Sequence, residues 1–195
     1  MPLLPPHTGS MSAMNELPIV ALTDRIEDQS SLDTIALRAR SVIDRVPRRL
    51  RDLLHGVPIG HPAHPAAVLV PAGAWISAAV LDLVPGASRA AQTLVGVGVL
   101  SALPSAASGW ADWATLRTRQ QRVGLVHAAT NVAAVGLYTA SWLQRRRGNE
   151  LAGKVLGMTG LALVSAGGYL GGHLAYRTDA ELILTPDTEA LPGQV

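Results

Sequence analysis

The 195-residue chain contains no cysteine and no phenylalanine, and only 15% of its residues are charged. Without cysteine it forms no disulfide, no zinc–thiolate site and no iron–sulfur cluster on its own ligands. Soluble domains carry about a quarter charged residues, so charge is scarce here, and it is also unevenly spread. Uncharged runs of 22 residues separate Arg89 from Asp112, Arg122 from Arg145 and Lys154 from Arg177. A fourth run reaches from Leu53 to Leu81. About 20 residues at 1.5 Å each cross the hydrocarbon of a bilayer, and the runs lack the polar stripe of a soluble bundle helix. The expected class is an all-α integral membrane protein, an up-down four-helix bundle.

Other absences narrow the function. There is no Ser/His/Asp grouping, no phosphate-binding glycine loop and no pair of carboxylates within a span, so conventional catalysis is not expected. The net charge is only +2, and arginines beside membrane spans set topology, so nucleic acid is not an expected partner. Met1 to Val20 lacks a charged start followed by an apolar core, so no signal peptide is expected.

What is present falls into four parts. Residues 1–30 are rich in Pro, Ser, Asp and Glu without periodicity, and read as a disordered tail. Residues 31–54 place Leu32, Ile35, Ala39, Val42, Val46, Leu50 and Leu53 at helical spacing among six arginines. This predicts a basic amphipathic helix lying in the interface against anionic lipid, with Ser31 as N-cap and a break or kink at Pro47. Residues 55–177 hold the spans, placed at 64–84, 90–111, 123–144 and 155–176. Pro65 opens the first, and Pro71 and Pro104 are expected kinks. Residues 178–195 read as a polar tail. Connections this short force antiparallel neighbours. Gly96, Gly98, Gly157, Gly160, Gly167, Gly168, Gly171 and Gly172 let helices approach closely in lipid.

Folding the chain four times gathers its histidines. Starts of odd spans and ends of even spans share one membrane face, called side A here. His61 and His64 open the first span, His127 lies one turn into the third, and His173 lies one turn from the end of the fourth. His55 and Asp112 fall on side A as well, with Trp110 and Trp113 as an expected aromatic belt. Both histidines of His61-Pro62-Ala63-His64-Pro65 precede prolines, which favours an extended segment with His64 near the helix N-cap. Asn131 shares a helix face with His127, and Tyr169 lies one turn behind His173. Gly168 and Gly172 form a smooth strip that leaves room for something flat or for another helix. Asp112 is placed to orient a ligating histidine, as carboxylates commonly do. Asp82, at the opposite face, reads as a solvated helix end.

Imidazoles from separate helices suit either the axial positions of a b-type haem or a divalent metal ion. Spacing leaves both open for His61, His64, His127 and His173, with His55, Asp112, Asn131 and Tyr169 in support. A metal-handling transporter and a structural subunit without cofactor are the other readings. Side A carries Arg45, Arg48, Arg49, Arg51, Arg117, Arg119, Arg122 and Arg177 against Arg89, Arg145, Arg146, Arg147 and Lys154 opposite. That excess places both termini in the cytoplasm.

Five motifs stand in order between Leu53 and Arg177. They are Leu54-His55-Gly56 with Gly60-His61-Pro62-Ala63-His64-Pro65, then Gly109-Trp110-Ala111-Asp112-Trp113, then Gly124-Leu125-Val126-His127 with Asn131. The last is Gly168-Tyr169-Leu170-Gly171-Gly172-His173-Leu174-Ala175-Tyr176-Arg177. In these the chain resembles a bacterial family of four-span membrane domains of unknown function. Some members continue into a Rieske iron–sulfur domain, so the resemblance implies membrane electron transfer at the inner membrane. Here that implies a separate iron–sulfur protein as partner, with a quinone on the other side of the exchange.

Overall fold

The computed structural model describes residues 18–184, with side chains through Tyr176. Every regular element among them is helical. In chain order these are α1 (Pro18–Glu27), α2 (Asp33–Ile43), α3 (Arg48–His55), α4 (Ala63–Ala67), α5 (Leu69–Leu81), α6 (Ser88–Trp113), α7 (Thr118–Arg146) and α8 (Glu150–Leu184). Short 3-10 turns at Ser30–Leu32 and Val57–Ile59 join the early helices.

Four helices are long and apolar enough to cross a membrane: Ala63–Leu81, Ser88–Trp113, Thr118–Arg146 and Glu150–Tyr176. Their outward side chains are apolar, and Leu69, Leu100 and Val132 are 70%, 71% and 69% exposed. Such surfaces are stable against acyl chains and not against water, so the chain is an all-α multi-pass membrane bundle. The second, third and fourth spans run past their expected bounds because flanking charged residues stay helical, whereas the first stops at Leu81, short of the expected 84. Gln120 Oε1 accepts the Arg117 backbone N–H at 3.2 Å and so caps the third span.

The first span is broken at Val68, and proline chemistry explains the junction. Pro71 has no N–H to give the Ala67 carbonyl four residues back. Ser105 Oγ of the second span donates to that carbonyl instead, at 2.9 Å. The core forms where Trp75, Ala78, Ala91, Val95, Ala102 and Tyr138 meet. Trp75 and Tyr138 stack with ring centres 4.1 Å apart and planes 3° from parallel. The expected close approaches occur: Trp142 packs over Gly96, and the Trp75 indole fills the space a side chain at Gly98 would need.

Spans three and four meet along a seam of unusual composition. On α7, His127, Asn131, Ala134, Tyr138, Ser141 and Arg145 recur at alternating steps of four and three. On α8, Gly153, Gly157, Gly160, Val164, Gly167 and Gly171 do the same. The two series run antiparallel in register. A Cβ at Gly171 would lie 3.0 Å from His127 Cε1, at Gly167 2.9 Å from Asn131 Oδ1, and at Gly160 3.0 Å from the Tyr138 ring. Gly157 faces Ser141 Oγ at 3.4 Å, and Gly153 lies against the Arg145 side chain. This is the heptad spacing of a left-handed helix pair, with large polar residues on one helix and a glycine groove on the other.

Outside the spans the structure corrects several expectations. Pro18–Glu27 is helical, with Thr23 and Glu27 buried, where an aperiodic tail was expected; residues 1–17 lie outside the described residues. The break expected at Pro47 is present: α2 ends at Ile43 and α3 starts after Pro47, whose fixed φ and missing N–H part them. Ser31 does not cap α2; it sits in a 3-10 turn, and α2 begins at Asp33 without a side-chain cap. The last helix continues to Leu184, while the remainder of the expected tail, 185–195, lies outside the described residues.

Candidate cofactor site

His64 does not stand in an extended segment: Pro62 caps α4, and His64 occupies its first turn. The Pro65 nitrogen costs nothing there, because first-turn N–H groups have no helical partner. Its imidazole lies over Gly109 of the second span, where a Cβ would come within 2.8 Å of Cε1. Nδ1 donates to the Ser105 carbonyl at 2.9 Å.

His127 repeats the arrangement across the bundle. Its ring lies over Gly171, and Nδ1 donates to the Gly167 carbonyl of the fourth span at 2.8 Å. The two rings meet edge to face, with centres 6.4 Å apart and planes 89° from parallel. With each Nδ1 carrying its proton to a carbonyl, each neutral ring keeps a lone pair on Nε2. The Asn131 amide nitrogen is 3.1 Å from His127 Nε2 and 3.4 Å from Nδ1. Near-equal distances to both ring nitrogens place it over the ring face, not in the ring plane. It also donates to the His127 carbonyl at 3.0 Å. Asn131 therefore fixes the ring without occupying the in-plane lone pair.

The other side A histidines are engaged elsewhere. His173 Nε2 donates to Glu27 Oε1 of α1 at 2.9 Å, with both side chains about one-tenth exposed. His55 Nδ1 donates to Asp112 Oδ1 at 2.7 Å, so Asp112 orients His55, not a histidine of the close pair. His61 is exposed in the loop before α4. The loop reverses at Gly56, whose φ of +83° and contact with the His61 carbonyl exclude a side chain. Tyr169 is exposed. Of the four expected ligands, the structure brings together His64 and His127. Among the described residues no group of three His, Asp or Glu side chains converges in a way that could hold a metal ion.

The glycine strip also differs from expectation. A Cβ at Gly168 or Gly172 would have nothing within 4 Å, whereas Gly167 and Gly171 carry the site residues of the third span. Trp113 belongs to no interfacial belt. It is 5% exposed, packs into the space above Gly124 and donates to the Gln121 carbonyl at 2.9 Å.

Two charged clusters hold the site in place, and neither was foreseen. On side A, Arg122 grips Asp33 of α2 with Nε and Nη2 at 2.7 and 2.8 Å, and also donates to the Glu27 carbonyl. Arg119 adds a contact to Asp28 at 2.9 Å. The Arg122 hydrogen bond holds the Asp33 carboxyl below its ordinary range. At the opposite face Asp82 is not a solvated helix end. It is 8% exposed and pairs bidentately with the fully buried Arg145, at 2.7 and 2.6 Å. Ser141 Oγ donates to the Gly153 carbonyl at 2.6 Å and lies 3.3 Å from Arg145 Nε, while Lys154 Nζ donates to the Asp82 carbonyl at 2.7 Å. The cluster pins the first span to the hairpin of the third and fourth.

Among known proteins, residues 60–182 match one family, described as "Predicted membrane protein (DUF2231)". The match covers all four spans and leaves out α1 to α3. No curated protein and no solved structure matches the chain.

Proposed function

We propose that this chain, which belongs to the DUF2231 family of membrane proteins, holds one redox centre between His64 and His127 and passes single electrons through it. The observation that carries this is the close approach of the two rings. Two imidazoles approach to 6.4 Å between ring centres, each with Nδ1 tied to a carbonyl and Nε2 left to bind. Metal-ligating histidines are commonly oriented by such an outer hydrogen bond. The rings are close enough that His64 and His127 would hold one metal centre between them.

The number of donors favours haem b over a bare ion. A zinc or copper site takes three or four protein donors, and the described residues bring two together. Haem iron would bring most of its donors with it and would need only two from the protein. His64 and His127 would be those ligands, and a haem there would supply a reversible one-electron step. A divalent metal ion with further non-protein donors is the second assignment. The chain's own residues then act as holders: the Ser105 and Gly167 carbonyls fix the tautomers, and Asn131 fixes one ring plane.

The wider reading follows from that centre. The protein sits in the bacterial inner membrane with side A and both termini in the cytoplasm, because side A carries the larger share of arginine. Its exchange partners are a separate iron–sulfur protein and a quinone. The same histidine–carbonyl bonds tie span one to span two and span three to span four, so a structural subunit without cofactor is the competing account. A reduced-minus-oxidised spectrum of the purified protein separates them. A b-type spectrum supports the redox centre, and a featureless one from folded protein moves the weight to a small-metal site or to the structural account.

A further inference from the structure

Helix α3 presents its faces in the opposite sense to a helix packed on a soluble core. His55 points to the end of the second span, where it binds Asp112 at 2.7 Å. Successive helical residues turn by about 100°, so Leu50 and Leu53 lie roughly 140–160° around the helix from His55. They point away from the bundle, 46% and 58% exposed. The apolar surface continues past the helix end into the 3-10 turn, where Val57 and Ile59 are 64% and 65% exposed. Nothing in the chain among the described residues covers this strip, yet it joins directly to the first membrane span through a short loop.

Its charge indicates what covers it. Arg51 and Asp44 pair at 3.7 Å, and Arg48 leans toward Asp52 at 3.9 Å while staying 88% exposed. Arg45 and Arg49 are exposed, and no carboxylate among the described residues pairs with either. An outward apolar strip flanked by unpaired arginines, at the end of a span, has the chemistry of a helix lying in the interface of an acidic bilayer. We propose that α3 and the Val57–Ile59 turn form a docking surface for acidic phospholipid. Leu50, Leu53 and Ile59 enter the acyl region, and Arg45 and Arg49 bind lipid phosphate. This surface is narrower than the segment 31–54 suggested by periodicity, because α2 is held to the third span through Asp33 and Arg122. Lipid bound here also braces His55 against Asp112, one helical turn from the Gly109 surface that carries His64.

The absence of cysteine makes the test direct. A polarity-sensitive thiol fluorophore is attached to Leu53→Cys in the full chain. The protein is then placed in nanodiscs of phosphatidylcholine alone, or with roughly one-third phosphatidylglycerol, with and without lipids brominated in the acyl chain. The expected result is a blue-shifted emission quenched by the brominated lipid, stronger in the acidic discs. A label at Arg48→Cys, on the other face, is quenched less. Arg45→Gln with Arg49→Gln removes the acidic-lipid dependence, each arginine contributing about fivefold to the preference. A Leu53 label that stays in water in both compositions overturns the proposal and leaves the face to a protein partner. Equal quenching in both compositions, unchanged in the arginine variants, overturns the assignment of acidic lipid. The substituted positions are exposed and outside the bundle core, so folding is not at stake.

Discussion

Gly171 lies directly beneath the His127 ring, so close that a Cβ there would stand 3.0 Å from Cε1. Its neighbour Gly172 faces open space, with nothing within 4 Å of the same position. Two adjacent glycines of one helix therefore do different work. One gives the imidazole its place, and the other merely lacks a side chain.

The pair makes a controlled test. Gly171→Ala should overpack the seam, displace the His127 ring and destabilise the protein by about 1–3 kcal/mol. Gly172→Ala should be neutral or stabilising by up to about 1 kcal/mol, because alanine is the better helix former. Thermal unfolding in detergent, with the two variants side by side, gives the comparison. Equal effects would mean that the seam tolerates a methyl group beside His127.

Asp82 and Arg145 should behave as a buried pair. Removing one partner, as in Asp82→Asn, leaves a guanidinium of 0% exposure without its carboxylate and should cost about 3–5 kcal/mol. The double replacement Asp82→Leu with Arg145→Met should recover much of that loss, because no unpaired charge remains. Detergent unfolding midpoints of the single and double variants give the readout. A double variant as unstable as the sum of the singles would argue against the pairing.

The N-terminal helices should loosen in acid. Arg122 holds the Asp33 pKa below its ordinary value, so the carboxylate adds stability in full above the unfolded-state pKa of about 3.9. That contribution is lost as pH falls through the lower folded-state value. Protection of α1 and α2 amides, relative to their intrinsic exchange rates at each pH, should therefore fall in acid while the spans stay protected. Asp33→Asn should show faster exchange already at neutral pH, and unchanged protection there would show that the contact does not hold α2.

Much of this architecture was readable from charge alone. Four uncharged runs give four spans because a bilayer excludes charge, and parity of the spans then puts the histidines on side A. Partnering was not readable to the same degree. His173 pairs with Glu27 and Asp82 with Arg145, contacts across 146 and 63 residues that no local spacing encodes. One signal was available: Arg145 continues the four–three spacing of His127, Asn131, Tyr138 and Ser141, and so belongs to a buried seam, not to a solvated loop. The segment 18–27 carried no legible pattern because its helix buries Thr23 and Glu27 and is held through Glu27 to Arg119 and His173 of the third and fourth spans.

The most direct measurement is the reduced-minus-oxidised absorbance spectrum of detergent-purified protein, expressed with ample haem precursor, in the wild type and four histidine variants. The account predicts a b-type spectrum lost in His64→Ala and in His127→Ala, but kept in His61→Ala and His173→Ala. A featureless spectrum from well-folded wild-type protein, or a signal that survives loss of both His64 and His127, would contradict it.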